Sequence, residues 1–205
     1  MPVVYSITPA RTALLLIDVQ NEYFDPACPL YTPNSATIKG NLVALRDAAK
    51  SARVWPIYVR HEHRADGADV GRMADFDTTP VFIEGTPAAE IIAELNPGGD
   101  DIVVKKNRYS AFLNTELESI LKTFEIDTVI ITGLMTQYCC VTTARHAHDL
   151  DYKVIFVSNA NTGPDMPDLG FGAVPHTRML EAIATSLAGG IADVVSSDEV
   201  LAALH

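Results

Sequence analysis

The 205-residue sequence predicts an α/β fold with three layers, α/β/α, around a mostly parallel central sheet of about six strands. Three observations predict it. Short apolar runs without polar interruption recur along the chain, the pattern of strands buried on both faces. Longer amphipathic stretches alternate with them, as in βαβ units. The length fits one domain, 1–205, and a composition of 48% hydrophobic and 20% charged residues suits a chain with a sizeable core.

The elements follow in order. The first strand is expected at 13–17 (ALLLI), the second at 54–59 (VWPIYV) and the third at 102–104. The remaining three are expected at 128–132 (TVIIT), 153–157 and 192–195. Helices are expected at about 37–52, 87–96, 115–124, 139–150, 175–188 and 197–204. Thr115 and Ser197 are plausible N-caps, and Glu118 stands three residues after Thr115 as in a capping box. Residues 20–36 and 61–86 break the rhythm with prolines and glycines. Both follow strands, so both are expected as loops at the carboxyl edge of the sheet, where open parallel sheets bind ligands.

Composition narrows the function. A net charge of −11 argues against a nucleic-acid partner. No apolar stretch reaches the roughly 20 residues needed to span a bilayer, so no membrane partner is expected. The chain opens with no charged-then-apolar leader, and its three cysteines (Cys28, Cys139 and Cys140) do not form a disulfide framework, so a reducing cytoplasm is the expected compartment. The first strand is followed by Asp18-Val19-Gln20-Asn21, not by a glycine-rich dinucleotide turn, and Gly170-Phe171-Gly172 lacks a third glycine. A Gly-x-Ser-x-Gly elbow and a Walker A motif are also missing, and no cofactor is expected.

Three residue types converge on one edge. Asp18 ends the first strand, where a charge needs a partner or a function; an ordinary loop carboxylate is the alternative. Lys106 follows the third strand within Lys105-Lys106-Asn107-Arg108, either in a solvated cluster or as a cation turned inward. Cys139 follows the fourth strand near a helix start, where the helix dipole favours a thiolate; a small core hydrophobe is the alternative, and Cys140 suits that role better. With the first strand central, the three strand ends are neighbours. A carboxylate, an ammonium and a thiol so placed can carry out nucleophilic attack on a carbonyl.

The blocks Leu15-Leu16-Ile17-Asp18-Val19-Gln20-Asn21, Lys106-Asn107-Arg108-Tyr109-Ser110-Ala111-Phe112 and Gly133-Leu134-Met135-Thr136-Gln137-Tyr138-Cys139 together resemble the isochorismatase-like cysteine hydrolases, with Glu84-Gly85-Thr86-Pro87 as a weaker match. That superfamily includes nicotinamidases, N-carbamoylsarcosine and ureidoacrylate amidohydrolases, and isochorismatases. The resemblance implies Asp18 as general base, Lys106 as the paired lysine with Lys105 out of register, and Cys139 as nucleophile. It implies a cis Leu134–Met135 peptide, with the Met135 and Cys139 N–H groups as oxyanion donors. Gln20, Tyr23, Tyr109, Leu134, Tyr138 and His176 are the expected substrate-facing residues, and the stretch 165–171 is a candidate lid. A homo-oligomer, dimer or tetramer, is expected by resemblance alone.

The chain departs from the pattern in three places. Glu22-Tyr23 replaces a common Asp-Phe, Cys140 replaces a β-branched residue, and His61-Glu62-His63 stands where nicotinamidases carry a metal-binding Asp-x-His. The acid is missing there, so no metal is expected, with His61, His63 and Asp69 as the alternative ligand set. His146 and His148 lie two apart on a predicted helix, face different ways, and read as structural. The implied activity is hydrolysis of a C–N bond in a small amide, ureide or carbamoyl compound through a thioester at Cys139. Vinyl-ether hydrolysis of the isochorismatase type and a non-catalytic interaction domain are the alternatives.

Overall fold

The computed structural model describes residues 4–76 and 78–204. Six strands form one parallel sheet: β1 (Thr12–Ile17), β2 (Trp55–His61), β3 (Ile102–Lys106), β4 (Thr128–Leu134), β5 (Lys153–Thr162) and β6 (Asp193–Val195). Their order is β3-β2-β1-β4-β5-β6, which puts β1 inside the sheet between β2 and β4. Every β1 residue is buried, as an apolar run with helices on both faces requires.

Six helices complete the layers: α1 (Asn21–Phe24), α2 (Ser35–Ala52), α3 (Leu117–Thr123), α4 (Val141–Asp149), α5 (His176–Ala188) and α6 (Ser197–Leu204). Alternation along β1 sorts the core into two clusters. Ala13, Leu15 and Ile17 pack with Leu117, Leu121, Ala144 and Leu187 from α3, α4 and α5. Leu14 and Leu16 pack with Ile38, Leu42 and Leu45 of α2 and Val200 of α6. The fold class and all six strand positions read from the sequence agree with this sheet.

Three local expectations need correction. The stretch 87–96 is not a helix but two short turns, Pro87–Ala89 and Ala93–Leu95. Between them the backbone is held extended: Ile92 N–H donates to Val19 O at 3.0 Å, and Asn21 N–H donates to Glu90 O at 2.9 Å. Those long-range bonds replace the i to i−4 bonds that a helix would need. Thr115 is not the N-cap of α3; Glu116 is, and Glu118 pairs with Lys122 rather than reaching back. Thr115 Oγ1 still accepts the Leu117 N–H, at 3.2 Å. The side chain that caps α6 is Ser196, one residue before the expected Ser197, and it forms a capping box with Glu199. Ser196 Oγ accepts the Glu199 N–H, and the Glu199 carboxylate accepts the Ser196 N–H at 2.8 Å.

Candidate active site

Three strand ends deliver the polar atoms. Asp18 follows β1 with φ 50°, a left-handed conformation that Asp tolerates better than most residues. The kink is pinned by Asp18 N–H donating to Val59 O and Gln20 N–H donating to Asp18 O, both at 2.8 Å. Lys106 is the last residue of β3 and lies in register with His61 on β2. After β4 the Leu134–Met135 peptide is cis, and Thr136–Cys140 forms a single wide helical turn that leads into α4. Cys139 is in that turn. Gly133 has φ 120°, and a Cβ there would stand 2.0 Å from Ile17 O, so only glycine lets β4 pass this close to the Asp18 kink.

The Lys106 ammonium is the hub. Its Nζ lies 2.8 Å from Asp18 Oδ2, 3.0 Å from His61 Nδ1, 3.1 Å from Arg108 O and 3.2 Å from Cys139 Sγ. The side chains of Asp18 and Lys106 are fully buried, and Cys139 is 2% exposed. Burial pushes the Asp18 carboxyl pKa up, and Lys106 opposes this only in part. Burial pulls the Lys106 ammonium down, but Asp18 and Cys139 outweigh it, and its pKa is raised. Burial, aided by Asp18, pushes the Cys139 thiol up despite Lys106. This overturns the expectation of a thiol activated by the helix start. The resting group is a thiol beside a carboxylate with raised proton affinity, an arrangement for proton transfer coupled to attack.

His61 and His63 extend the row. An ammonium only donates, so His61 Nδ1 accepts from Lys106 and its Nε2–H faces His63 Nε2 at 3.1 Å. His63 Nδ1–H then faces Asp69 Oδ1 at 3.4 Å. One choice of tautomers satisfies the contacts from Lys106 through His61 to His63, while His63 Nδ1 lies near Asp69 without a hydrogen bond. Burial lowers the pKa of both imidazoles, in keeping with two neutral rings.

The donor set does not fit a resident metal ion. Among the described residues one group of three or more donors comes together, Asp18, His61 and Cys139, with atoms within 4.8 Å of one another. The Lys106 ammonium stands among all three at hydrogen-bonding distance, where an ion would have to sit. Among the described residues no third donor joins the facing Nε2 atoms of His61 and His63, whereas a catalytic zinc takes three protein ligands.

A cavity of about 460 Å³ opens over Cys139. Tyr23, Tyr109, Tyr138, Met135 and Cys139 line it, while Asp18 and Lys106 are not in the lining itself. Three expected substrate-facing residues lie elsewhere. The Gln20 amide is consumed as a clamp: it donates to His61 O and Ala89 O and accepts from His61 N–H, all within 2.7–2.8 Å. Leu134 is fully buried in the core cluster on the α2 side. His176 opens α5, where its ring meets Asp165 at 3.0 Å, outside the lining.

The stretch 165–171 also stays out of the lining, and Phe171 points to solvent at 97% exposure. The outer wall comes instead from residues 65–83, with Val70, Met73, Phe76 and Phe82, plus His61 and His63 at the end of β2. These residues lack any period that marks them as lining; the one signal was that their loop follows a strand at the ligand edge. His146 is structural as read, with its Nδ1 2.8 Å from Ser110 Oγ.

The chain is similar to known proteins in sequence and in fold. The chain is 33% identical over 190 residues to nicotinamidase 3 of Arabidopsis thaliana, covering 92% of this chain and 86% of that protein. It is 27% identical over 183 residues to a ureidoacrylate amidohydrolase of Rhizobium rhizogenes, covering 78% of this chain and 74% of that protein. Among solved structures it is similar to a cysteine hydrolase from Pseudomonas syringae pv. phaseolicola, with a TM-score of 0.97 and 37% identity over 100% of this chain and 97% of the other. The isochorismatase domain family model matches residues 12–188, and the chain belongs to the isochorismatase family of hydrolases.

Proposed function

We propose that this hydrolase cleaves a C–N bond of a small amide, ureide or carbamoyl compound through a thioester at Cys139. One observation carries the reading: a single ammonium, Lys106, lies 2.8 Å from a buried carboxylate and 3.2 Å from a buried thiol at the floor of a cavity. Similar proteins named as a nicotinamidase and an amidohydrolase support it.

Asp18 takes the Cys139 proton as the sulfur bonds to the substrate carbonyl carbon. The carbonyl oxygen becomes an oxyanion, stabilised by the Met135 and Cys139 N–H groups. Collapse breaks the C–N bond while Asp18 returns the proton to the leaving nitrogen. Asp18 then takes a proton from water as the water attacks the thioester, and the acid departs with the thiol restored. Lys106 keeps Asp18 ionised in the resting state and stabilises negative charge at sulfur. Without it, burial would leave Asp18 protonated and unable to act.

The test is acid quenching during turnover of an amide panel, followed by intact-mass measurement. An acyl adduct on Cys139, absent in Cys139→Ser, is expected together with release of ammonia or amine. Amide turnover without any adduct, and with Cys139→Ala still active, would instead indicate direct attack by water; inert amides and hydrolysis of a vinyl ether that survives Cys139→Ala would indicate protonation chemistry. The raised Asp18 pKa is the one feature that favours that second reading.

A further inference from the structure

We propose that the cavity selects substrates with an uncharged, apolar or aromatic acyl group and rejects those that carry a carboxylate. The proposal rests on the amide-hydrolase reading and adds its substrate class.

The first argument is that no cation lines the cavity among the described residues. Lys106 has three N–H bonds and four acceptors within 3.2 Å: Asp18, His61, Arg108 O and Cys139. Nothing remains for a substrate carboxylate. The Arg108 guanidinium donates to Asp69 O at 2.7 Å and Asn107 O at 2.6 Å, and it is not in the lining. Arg64 is held in a two-point pair by Asp66, at 3.0 and 2.8 Å. His61 uses both ring nitrogens on Lys106 and His63, and His63 Nε2 faces His61. Among the described lining residues there is no lysine or arginine, and one side chain, Asp66, is acidic. A carboxylate brought in would lose its water and meet hydroxyl groups, but no lysine or arginine, in the described lining.

The second argument is shape. Phe82 stacks on His61 at 4.7 Å with 16° between planes, and Tyr23 meets Phe82 edge-on at 5.3 Å. Tyr109 and Tyr138 stack at 5.3 Å near the open side, each about one third exposed. Val70 and Met73 add apolar surface between these aromatic groups. Flat aromatic faces above a thiol, in a volume of about 460 Å³, suit a planar ring attached to a carbonyl.

The experiment compares benzamide with its para-carboxylate by ammonia release on the wild-type protein and on Met73→Arg. Wild type is expected to prefer benzamide by about 100-fold or more in kcat/KM, since a site that leaves a buried polar group unpaired rejects its bearer strongly. Met73→Arg is expected to narrow that ratio at least tenfold by raising the carboxylate's kcat/KM. Equal or better turnover of the carboxylate by wild type would overturn the substrate class and leave the amide-hydrolase reading standing.

A second measurement does not need turnover. Cys139 is alkylated with N-phenylchloroacetamide and with its para-carboxylate, each rate normalised to glutathione. The neutral reagent is expected to react at least tenfold faster. Equal rates, or the reverse, would overturn the proposal even if no amide is turned over. If neither amide is hydrolysed while the alkylation preference holds, the cavity's charge selection stands, and the adduct measurement on the amide panel decides the amide-hydrolase reading separately.

Discussion

Lys105 and Lys106 are neighbours at the end of β3, yet the Lys105 side chain is 62% exposed and pairs with Glu62, while that of Lys106 is fully buried against Asp18. Their register partners on β2 divide in the same way: Arg60 lies opposite Lys105 and His61 opposite Lys106. Arg60 joins Glu62 and Glu90 on the outer face; His61 joins the buried row. Successive side chains of a strand point to opposite faces, so a shift of one residue exchanges a solvated cation for a buried one. The two faces also differ in consequence. The outer network reaches solvent through Lys105 and Glu90, whose charges water screens, whereas the inner one shifts the proton affinity of Asp18, Lys106 and Cys139.

Four measurements break or sharpen this contrast. The largest effect belongs to the thiol that the inner face serves: Cys139→Ala is expected to lower kcat by about 10⁴-fold or more, as loss of a nucleophile does elsewhere, with the fold retained by circular dichroism. Next, Lys106→Met is expected to lower kcat/KM by about 10²–10³-fold and to move the acid limb of the pH profile upward. The sign follows from the site: Asp18 must be unprotonated to act, burial already raises its pKa, and Lys106 is what restrains that rise. An acid limb left unmoved in Lys106→Met would separate the lysine from the base.

The third effect is on stability. Folding keeps His61 and His63 neutral by lowering their pKa values, while the unfolded chain protonates them near 6.5. Their contribution is therefore complete above about pH 6.5 and lost as pH falls below it, by about 1 kcal/mol per pH unit for each ring. Denaturant titrations between pH 7.5 and 5 are expected to show this loss, and His63→Gln to reduce it. The smallest effect is on the outer face. Lys105→Met is expected to leave kcat/KM within about twofold and stability within about 0.5 kcal/mol. An effect as large as that of Lys106→Met would mean that the two faces are electrostatically coupled.

Metal dependence tests the inner face from another side. Dialysis against a chelator is expected to leave activity unchanged, because an ammonium stands among the convergent donors. A loss restored by zinc would show that His61 and His63 complete a coordination shell with water.

Much of the molecule was legible in its sequence. Uninterrupted apolar runs such as ALLLI have one economical solution, a strand covered on both sides, and six of them alternating with amphipathic stretches specify the layered sheet. Asp18, Lys106 and Cys139 could be singled out because a charge or thiol at the end of a buried strand demands an account. What the sequence did not contain was anything that depends on atoms distant along the chain. The 87–96 stretch looks helical by composition, but its backbone bonds to β1's end instead. Gln20 looks like a substrate contact, but its amide is spent on His61 and Ala89. The Cys139 thiol looked activated by a helix start, but burial beside Asp18 raises its proton affinity. Desolvation and long-range hydrogen bonds arise only when the chain has closed. Local pattern therefore determined which residues stand at the sheet's edge, and the tertiary structure alone decided their protonation, their partners and the apolar wall they face.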